Sequence, residues 1–206
     1  MRTYILFMSV AAALLMGCGD NNIAPYNQYN NEVKSKGDDI QNYRTVVINS
    51  QTWMAENLDN DVEGSKCYNN DPAYCEKYGR LYTWDAAMTA CPAGWHLPTD
   101  AEWTALTNYV GGLPTAGTKL KSSEGWNSYS GVPAGTDEHN FSALPGGYGY
   151  SDGTFDHVGD FGSWWSATEY NDGSAYNLFM NYDDESVVRL SYVNKTRLSS
   201  ARCLQD

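Results

Sequence analysis

Positive charge is scarce in this chain of 206 residues. Lysine and arginine together number 13 against 25 aspartates and glutamates, so the formal net charge at pH 7 is −12. Nucleic acids and anionic lipid surfaces are polyanions, and they repel a chain with this balance. We therefore expect no nucleic-acid partner, and any attachment to a membrane must come from a feature other than a basic patch.

The chain also lacks a hydrophobic run long enough to cross a membrane. Its longest apolar stretch, residues 4–16, is interrupted only by Ser9. As a helix this stretch would span about 20 Å, well short of the ~30 Å hydrocarbon core. Together with Arg2 before it, the stretch is typical of a secretory signal peptide.

The residues that follow, Leu15-Met16-Gly17-Cys18, resemble the lipobox of bacterial lipoproteins. The resemblance implies that the chain is cleaved before Cys18, which is then acylated and becomes the mature N-terminus. We predict a lipoprotein signal peptide over residues 1–17 and a lipid anchor on Cys18. An ordinary signal peptide that happens to contain a cysteine is the alternative.

Aliphatic side chains are nearly absent from residues 19–43, which are rich in Asn, Asp and Gln. Such a segment cannot bury enough apolar surface to offset the entropy lost on ordering. We predict that residues 18–43 form a flexible tether and that one domain follows over residues 44–206.

Five cysteines are present, without the C-x₂-C pair that is typical of zinc sites. With Cys18 assigned to the anchor, four remain: Cys67, Cys75, Cys91 and Cys203. An even number in an exported chain indicates a disulfide framework, for which three pairings are possible. We favour Cys67–Cys75, a short loop, and Cys91–Cys203, which would join the middle of the chain to its C-terminus.

Regular patterning begins at the start of the domain. Residues 45–48 and 52–55 predict two strands joined by a turn at Asn49-Ser50. A first helix is expected after an N-cap at Thr83, with Pro92 as its end. A second helix is expected over residues 100–110.

Beyond Gly112 the chain becomes rich in Gly, Ser, Tyr, Trp and Asp, so we expect little regular structure there. Short strands are expected near residues 141–143 and 163–166. A hairpin that turns at Asp183-Asp184 follows, and then a last strand that carries Cys203. Strands, two helices, an irregular middle and a closing sheet together predict an α+β fold.

Six phrases carry a family resemblance: TWMAENL (52–58), YGRLYTWDAAM (78–88), CPAGWHLPTDAEW (91–103), FSALPGGY (141–148), WWSATE (164–169) and ARC (201–203). In this order they resemble the Fibrobacter succinogenes major paralogous domain of exported bacterial proteins, over about residues 44–206. The resemblance implies a C-type-lectin-like fold, similar to formylglycine-generating sulfatase-modifying factors. That fold has two helices, a small twisted antiparallel sheet, a long irregular loop region and adjacent chain ends. For function the resemblance implies little beyond a suspected surface or adhesion role.

Aromatic side chains crowd the irregular middle and are the candidate ligand-binding residues: Trp126, Tyr129, Tyr148, Tyr150, Trp164 and Trp165. Rings with a polar edge suit the faces of sugars, although a loop-rich domain also needs large rings for its core. Because side chains alternate along a strand, we expect one of Trp164 and Trp165 to face outward. The remaining tryptophans, Trp53, Trp84, Trp95 and Trp103, are expected in the core.

Acidic residues of the same region are candidate metal ligands: Asp137, Glu138, Asp152, Asp156 and Asp160. Oxygen ligands in loops suit calcium, which is the candidate cofactor. Solvated turn residues are the alternative, since Asp next to Gly is common turn chemistry. Paired carboxylates acting as a glycosidase are a further alternative.

The stretch CPAGWHLPTDAEW places Cys91, His96 and Glu102 close together, as a catalytic fragment would. A thiol enzyme of the sulfatase-modifying class needs reactive cysteines, which the predicted disulfides would consume. Thr99 and Glu102 instead have the S/T-x-x-E spacing of a helix capping box. We predict no catalytic residue here, and a hydrogen-bonding role for His96.

The combined prediction is an exported lipoprotein of the cell envelope, held at the outer membrane or cell surface by its lipid. It is predicted to be a non-catalytic binding or adhesion module that meets a glycan or a surface protein through aromatic, Asp-rich loops. One alternative is a structural envelope lipoprotein without a specific ligand. The other is an enzyme related to formylglycine-generating sulfatase modification.

Overall fold

The structure is a computed structural model that describes Ile40 and residues 43–133 and 135–206. The predicted signal peptide, the lipid anchor on Cys18 and nearly all of the tether lie outside the described residues. Within the described residues, none of the helices has the length and apolar character needed to cross a bilayer.

Helices and sheets are both present, in agreement with the predicted α+β class. The helices of the described part are α1 (Pro72–Tyr78), α2 (Trp84–Ala90), α3 (Asp100–Tyr109) and α4 (Leu113–Leu120), with a 3₁₀ turn at Tyr68–Asn70. The first strands are β1 (Thr45–Ile48), β2 (Gln51–Met54), β3 (Ser65–Lys66), β4 (Leu81–Tyr82), β5 (Trp95–His96) and β6 (Tyr148–Gly149). The later strands are β7 (Phe155–Asp156), β8 (Phe161–Asn171), β9 (Ser174–Asn181), β10 (Val188–Asn194), β11 (Ser199–Ser200) and β12 (Leu204–Gln205).

Three sheets organise these strands. A four-stranded sheet has the order β1-β2-β12-β5, a six-stranded sheet has the order β10-β9-β8-β11-β4-β3, and β6 pairs with β7. All pairs are antiparallel except β11 with β8. Because β12 pairs with β2, the last strand lies beside the first hairpin and brings the two ends of the described domain together.

Local sequence signals placed several elements correctly. Asn49 and Ser50 join β1 and β2 with φ values of 48° and 62°, the left-handed conformation of a type I′ hairpin turn. The hydroxyl of Thr83 accepts a hydrogen bond from the N–H of Ala86 and caps α2. Thr99 and Glu102 form the predicted capping box of α3.

The prediction of two helices is wrong, because α1 and α4 are also present. Asp71 caps α1 and Gly79 ends it, so the local punctuation existed, but the Asn- and Asp-rich surroundings indicated a loop. In α4, which contains a proline and a glycine, tertiary contacts supply the stability. A Cβ at Gly117 would lie 2.3 Å from the carbonyl oxygen of Ser186, so only glycine permits this close approach.

Three strand predictions also need correction. Residues 141–143 form no strand, and Ala143 makes only an isolated bridge with Lys121. The strand expected at residues 163–166 is much longer, since β8 spans Phe161–Asn171. The last strand is divided into β11 and β12, with Cys203 between them.

Buried residues form two large clusters on opposite faces of β8. Trp164 packs with Trp53, Trp103 and Phe141 in the first cluster, and Trp165 lies in the second. Both rings are 0% exposed, so the expectation that one of Trp164 and Trp165 faces outward is wrong. The side chains do alternate, but β8 is a central strand and protein covers both of its faces.

Three of the four buried tryptophans, Trp103, Trp164 and Trp165, donate their indole N–H to a protein acceptor, whereas the N–H of Trp53 has no partner among the described residues. Trp164 donates to the side-chain oxygen of Asn57 at 2.8 Å, and Trp165 donates to the carbonyl of Tyr82 at 2.7 Å. Trp53 and Trp103 are buried as predicted. Trp84 and Trp95 are half-buried at the edge of the second cluster rather than inside it.

Both favoured disulfides are present, Cys67–Cys75 and Cys91–Cys203. The first bridge joins the segment before the 3₁₀ turn to the middle of α1. The second joins the end of α2 to the segment between β11 and β12, and both of its cysteines belong to the second cluster.

Candidate functional site

A groove beside α1 is the largest concavity that we describe, with a volume of about 590 Å³. We call it the tyrosine groove, and its lining residues are Asp71, Ala73, Tyr74, Lys77, Tyr78, Gly125, Asn127, Val158 and Gly159. One wall is therefore the exposed side of α1, and the other consists of residues from two loops. Lys77 and Tyr78 also line a neighbouring, more charged concavity of about 240 Å³.

The position of α1 depends on a cross-link at its middle turn and on contacts of Arg80, just beyond its C-terminal end. The Cys67–Cys75 disulfide fastens its middle turn, and the Arg80 guanidinium donates to both sulfurs at 3.4 and 3.5 Å. Arg80 also forms an ion pair with Asp61. A helix of seven residues is too short to be stable alone, so these contacts hold the groove wall in place.

Aromatic stacking orients the tyrosines of the wall. The ring of Tyr74 lies 6.2 Å from that of Tyr78 in a stacked arrangement and 5.1 Å from that of Tyr68. Lys77 extends its ammonium over the Tyr78 ring at 4.8 Å. The part of the wall that solvent can reach therefore consists of the half-buried Tyr74 ring and the exposed Lys77, and the buried Tyr78 ring supports them from behind.

Asn57 fastens the end of α1 to the core. Its amide donates to the carbonyl of Tyr78 at 2.8 Å, and its oxygen accepts from Trp164 and from the guanidinium of Arg202 at 2.8 Å each. Arg202 is fully buried over the Phe141 ring, and burial lowers its pKa to about 9. Because Arg202 donates to carbonyl and amide oxygens, it acts as a structural connector rather than a surface charge.

The opposite wall of the groove belongs to a loop around Asn127. The Asn127 backbone N–H donates to the carbonyl of Gly159 at 2.9 Å, and its side chain donates to Asp160 at 2.8 Å. Asn127 also lines a second, smaller concavity of about 70 Å³, which contains Trp126, Tyr129 and Tyr182. We call this concavity the Trp126 pocket.

The floor of the Trp126 pocket carries a buried cation. The Lys121 ammonium donates to the carbonyls of Asn181 and Asp184 at 3.1 and 2.8 Å and lies 5.3 Å from the Trp126 ring centroid. Burial lowers the pKa of Lys121, and the neighbouring acids Asp184, Glu185 and Asp183 oppose this shift. Trp126 uses its own N–H on the carbonyl of Ala143 at 2.9 Å.

The six predicted ligand-binding aromatics do not form one face. Trp126 and Tyr129 share the Trp126 pocket, where the exposed Tyr129 ring packs edge-on against Tyr182 at 5.8 Å. Trp164 and Trp165 are fully buried, so solvent cannot reach either ring. Tyr148 is buried too, and Tyr150 lines a different concavity.

Two of the acidic candidates, Asp137 and Asp152, stabilise the loops in which they lie by accepting hydrogen bonds from nearby residues. Asp137 accepts hydrogen bonds from the N–H and hydroxyl of Ser142 at 2.6 and 2.7 Å. Asp152 accepts the equivalent pair from Thr154 at 2.9 and 2.7 Å, and these bonds lower the pKa of its carboxyl group. The Asp152 geometry is that of an Asx turn, in which a carboxylate accepts from the N–H two residues further on, whereas the Asp137 carboxylate closes a wider loop of five residues.

The other acidic candidates are spread over the surface: Glu138 lies 3.8 Å from Lys119, Asp156 is on the exposed side of β7, and Asp160 accepts from Asn127. Within the described residues, no three His, Cys, Asp or Glu side chains are grouped so that they could hold a metal ion. The structure therefore does not bring the predicted calcium ligands together.

His96 lies between two carboxylates. Its ring nitrogens are 3.0 Å from Glu102 and 2.7 Å from Asp206. Burial by itself would lower the pKa of His96, but the hydrogen bonds to Asp206 and Glu102 outweigh it and raise the pKa. Cys91 is in a disulfide, so the predicted hydrogen-bonding interpretation of this stretch fits the geometry better than a thiol nucleophile would.

Sequence reasoning missed the tyrosines of α1. Tyr74 and Tyr78 are four residues apart, which places them on one side of a helix. Asp71-Pro72 before them and Gly79 after them are the N-cap, first-turn and C-terminal signals of a helix. The sequence therefore contained the signal for the α1 wall of the groove. The opposite wall, which includes Asn127 and Val158, comes from loops far away in the chain and had no such local signal.

Comparison with known proteins gives one match. The sequence profile described as the Fibrobacter succinogenes major domain matches residues 46–205, which include every described strand and helix except the first residue of β1. No curated protein and no solved structure shows significant similarity to the chain. The match covers most of the chain and includes all six phrases. The protein therefore belongs to the Fibrobacter succinogenes major domain family.

Proposed function

We propose that this domain is a non-catalytic binding module that holds a saccharide in the tyrosine groove. The observation that supports this proposal is the wall of α1, where the half-buried Tyr74 ring, stacked on the buried Tyr78, lies beside Lys77 and opposite the amide of Asn127. Sugars pack their C–H faces on aromatic rings and bond their hydroxyls to amides and charged groups. The groove combines both chemistries at a surface that the Cys67–Cys75 disulfide holds rigid.

We further propose that the fold is C-type-lectin-like. The adjacent ends of the described domain, the small antiparallel sheets and the long irregular segment between α4 and β8 support this assignment. A fold of this kind binds ligands through its loops. The tyrosine groove agrees with this, because residues from separate loops and one short helix form it.

The proposed location is the cell envelope, with the domain attached through a lipid on Cys18. The lipobox-like residues 15–18 and the apolar stretch before them support this location. Palmitate labelling of cells that express the full chain tests it, with Cys18→Ser as the matched variant. Labelling that is unchanged in the variant would contradict the anchor.

The enzyme alternative receives no support from the thiols. All four cysteines of the described domain are paired in disulfides, whereas a formylglycine-generating mechanism needs reactive thiolates. A count of free thiols on the unreduced protein distinguishes the binding module from the enzyme. Two reactive cysteines in the folded domain would favour the enzyme.

A panel of neutral polysaccharides and oligosaccharides tests the groove directly. The wild-type domain, Tyr74→Ala, Asn127→Ala and the control Tyr170→Ala are compared, because Tyr170 is an exposed tyrosine on β8 that does not line the groove. We expect the wild-type domain and Tyr170→Ala to bind a saccharide with equal affinity, and Tyr74→Ala and Asn127→Ala to bind it more weakly. A chelator should not change any of these affinities. Binding that requires calcium would instead favour the loop acids, and the absence of any binding would favour the purely structural alternative.

A further inference from the structure

Another concavity, of about 310 Å³, lies at the end of β10, and its chemistry differs from that of the tyrosine groove. We call it the Arg197 pocket, and the residues that define it here are Tyr150, Leu190, Tyr192, Asn194, Thr196 and Arg197. Tyr150 and Tyr192 are 40% and 70% exposed, so both rings face solvent at the rim. Neither the proposed saccharide site nor the family assignment uses these residues.

The arginine of this pocket has an unusual environment. Its guanidinium carbon lies 3.6 Å from the Tyr148 ring centroid, in a cation–π contact. Its Nε is buried and has no hydrogen-bond partner among the residues that the structure describes. Across the same residues no ion pair or side-chain hydrogen bond to Arg197 is found, so its positive charge is not neutralised.

The other arginines of the described domain all have the polar partners that Arg197 lacks. Arg44, Arg80 and Arg189 are paired with Glu56, Asp61 and Asp100, respectively. The buried Arg202 donates to two carbonyls and an amide oxygen. In a protein with nearly twice as many acidic as basic residues, Arg197 stands apart because, among the described residues, it has neither a carboxylate partner nor a side-chain hydrogen bond, whereas Arg202 lacks only the carboxylate.

Tyrosines near Arg197 do not supply the missing negative charge. Burial, a hydrogen bond with Tyr150 and the charge of that neighbour raise the pKa of Tyr148 to about 12. Its hydroxyl is therefore neutral at physiological pH. Burial lowers the pKa of Arg197, and the opposing influences come from Tyr148 and Tyr150, with no carboxylate among them.

From this geometry we infer that the Arg197 pocket binds the carboxylate of an acidic saccharide, a uronic acid. The planar guanidinium suits bidentate contact with a carboxylate, and stacking on Tyr148 holds it in one orientation. Tyr150 and Tyr192 can contact the sugar ring, and Thr196 and Asn194 carry groups that can bond its hydroxyls.

A peptide carboxylate is the competing source of the same charge. Since β10 is an edge strand of the six-stranded sheet, it is the place where a peptide strand would add. The pairing of β10 with β9 is interrupted between Leu190 and Val193, at the pocket. Such irregularity breaks the even row of backbone groups that an added strand needs, which favours the saccharide.

Two ligands that differ only at the relevant group test the inference. Titration calorimetry on the full chain compares the binding of 4-nitrophenyl β-D-glucuronide with that of 4-nitrophenyl β-D-glucoside. We expect the glucuronide to bind about tenfold more tightly or better, because a hydrogen-bonded carboxylate on a guanidinium is lost in the glucoside. Equal affinities, or no binding of the glucuronide, would overturn the inference.

Variants locate the site. Arg197→Met should lose the preference for the glucuronide, and Arg197→Lys should keep only part of it, because an ammonium lacks the planar fork. Arg189→Met is the matched control, since Arg189 also lies over a tyrosine ring, Tyr176 at 4.7 Å, but is neutralised by Asp100. Thermal melts verify that each variant is folded.

The remaining outcomes are also decisive. A preference that survives Arg197→Met places the carboxylate elsewhere and overturns the assignment. An acetylated dialanine with its carboxylate intact should bind more weakly than the glucuronide, and equal or tighter binding would favour a peptide. Tyr74→Ala should leave glucuronide binding unchanged, so failure of the tyrosine groove and failure of this pocket are distinguishable.

Discussion

At the scale of single residues, the contact between His96, Glu102 and Asp206 links stability to pH. The raised pKa of His96 means that its contribution is complete below its ordinary value of about 6.5 and is lost as pH rises through the folded value. For Glu102, burial would raise the pKa, but bonds from Thr99 and His96 lower it. Its contribution is therefore present above about pH 4.5 and is lost as pH falls through its folded value.

His96→Gln should therefore destabilise the domain more at pH 5.5 than at pH 8.5. The side chain of His96 is 36% exposed, so solvent screens the pair and the difference should be at most about 1 kcal/mol. Urea unfolding at the two pH values measures it. His139→Gln is the control, because the contact of His139 is with the ring of Tyr109 rather than with a carboxylate. Equal losses for His96→Gln would contradict the ion-pair interpretation.

At the scale of elements, α4 is stabilised by backbone hydrogen bonds to a neighbouring loop. The N–H of Thr118 donates to the carbonyl of Glu185 at 3.0 Å, and the N–H of Val187 donates to the carbonyl of Leu113 at 2.8 Å. These bonds need the loop to approach Gly117 closely. Helix propensity, which is poor for glycine, is therefore outweighed by contacts from about 70 residues further along the chain.

Gly117→Ala should destabilise the domain by about 1–3 kcal/mol, although alanine is the better helix former. The added Cβ would collide with the backbone of Glu185 and Ser186, which cannot move like a flexible side chain. Gly173→Ala is the matched control, since its Cβ would meet only Asn171 at 3.8 Å. Denaturant unfolding of both variants gives the comparison, and a stabilised Gly117→Ala would show that the close approach is absent.

The α1 element connects a disulfide to the proposed binding site. Replacing both Cys67 and Cys75 by Ser should lower the free energy of unfolding by about 2–3 kcal/mol, because the bridge closes a loop with a sequence separation of only 8. The same variant should weaken saccharide binding, since Tyr74 and Tyr78 lose their fixed position. Calorimetry well below the melting temperature separates the two effects, and unchanged affinity would show that α1 docks without its bridge.

At the scale of the whole molecule, the Cys91–Cys203 bridge spans a sequence separation of 112. In the chain-entropy treatment a loop of this size corresponds to about 4–5 kcal/mol. Replacing both cysteines by Ser should therefore destabilise the domain more than removal of the short bridge. At low temperature the folded fraction should keep its affinity for saccharide and for glucuronide, because neither cysteine lines the tyrosine groove or the Arg197 pocket. A smaller loss than for Cys67 and Cys75 would contradict this ranking.

Elements with strong local signals agreed with prediction. The hairpin turn at Asn49-Ser50 and the caps at Thr83 and Thr99 depend on residues a few positions apart, so their chemistry is visible in a short stretch. The exposed side of α1 had similar signals, but its composition resembled a loop. The error for Trp164 and Trp165 has another origin, because alternation fixes only the relative direction of two neighbours.

Local and covalent features were therefore readable from the amino-acid sequence: the helix caps, the first hairpin, the α+β class, the family phrases and the preferred cysteine pairing. Tertiary structure alone decided which surfaces are covered and which charges are paired. Burial of both faces of β8 and the lack of a partner for Arg197 both depend on segments remote in sequence. The physical reason is that burial and ion pairing depend on distances in space, and these are defined only after the chain has packed.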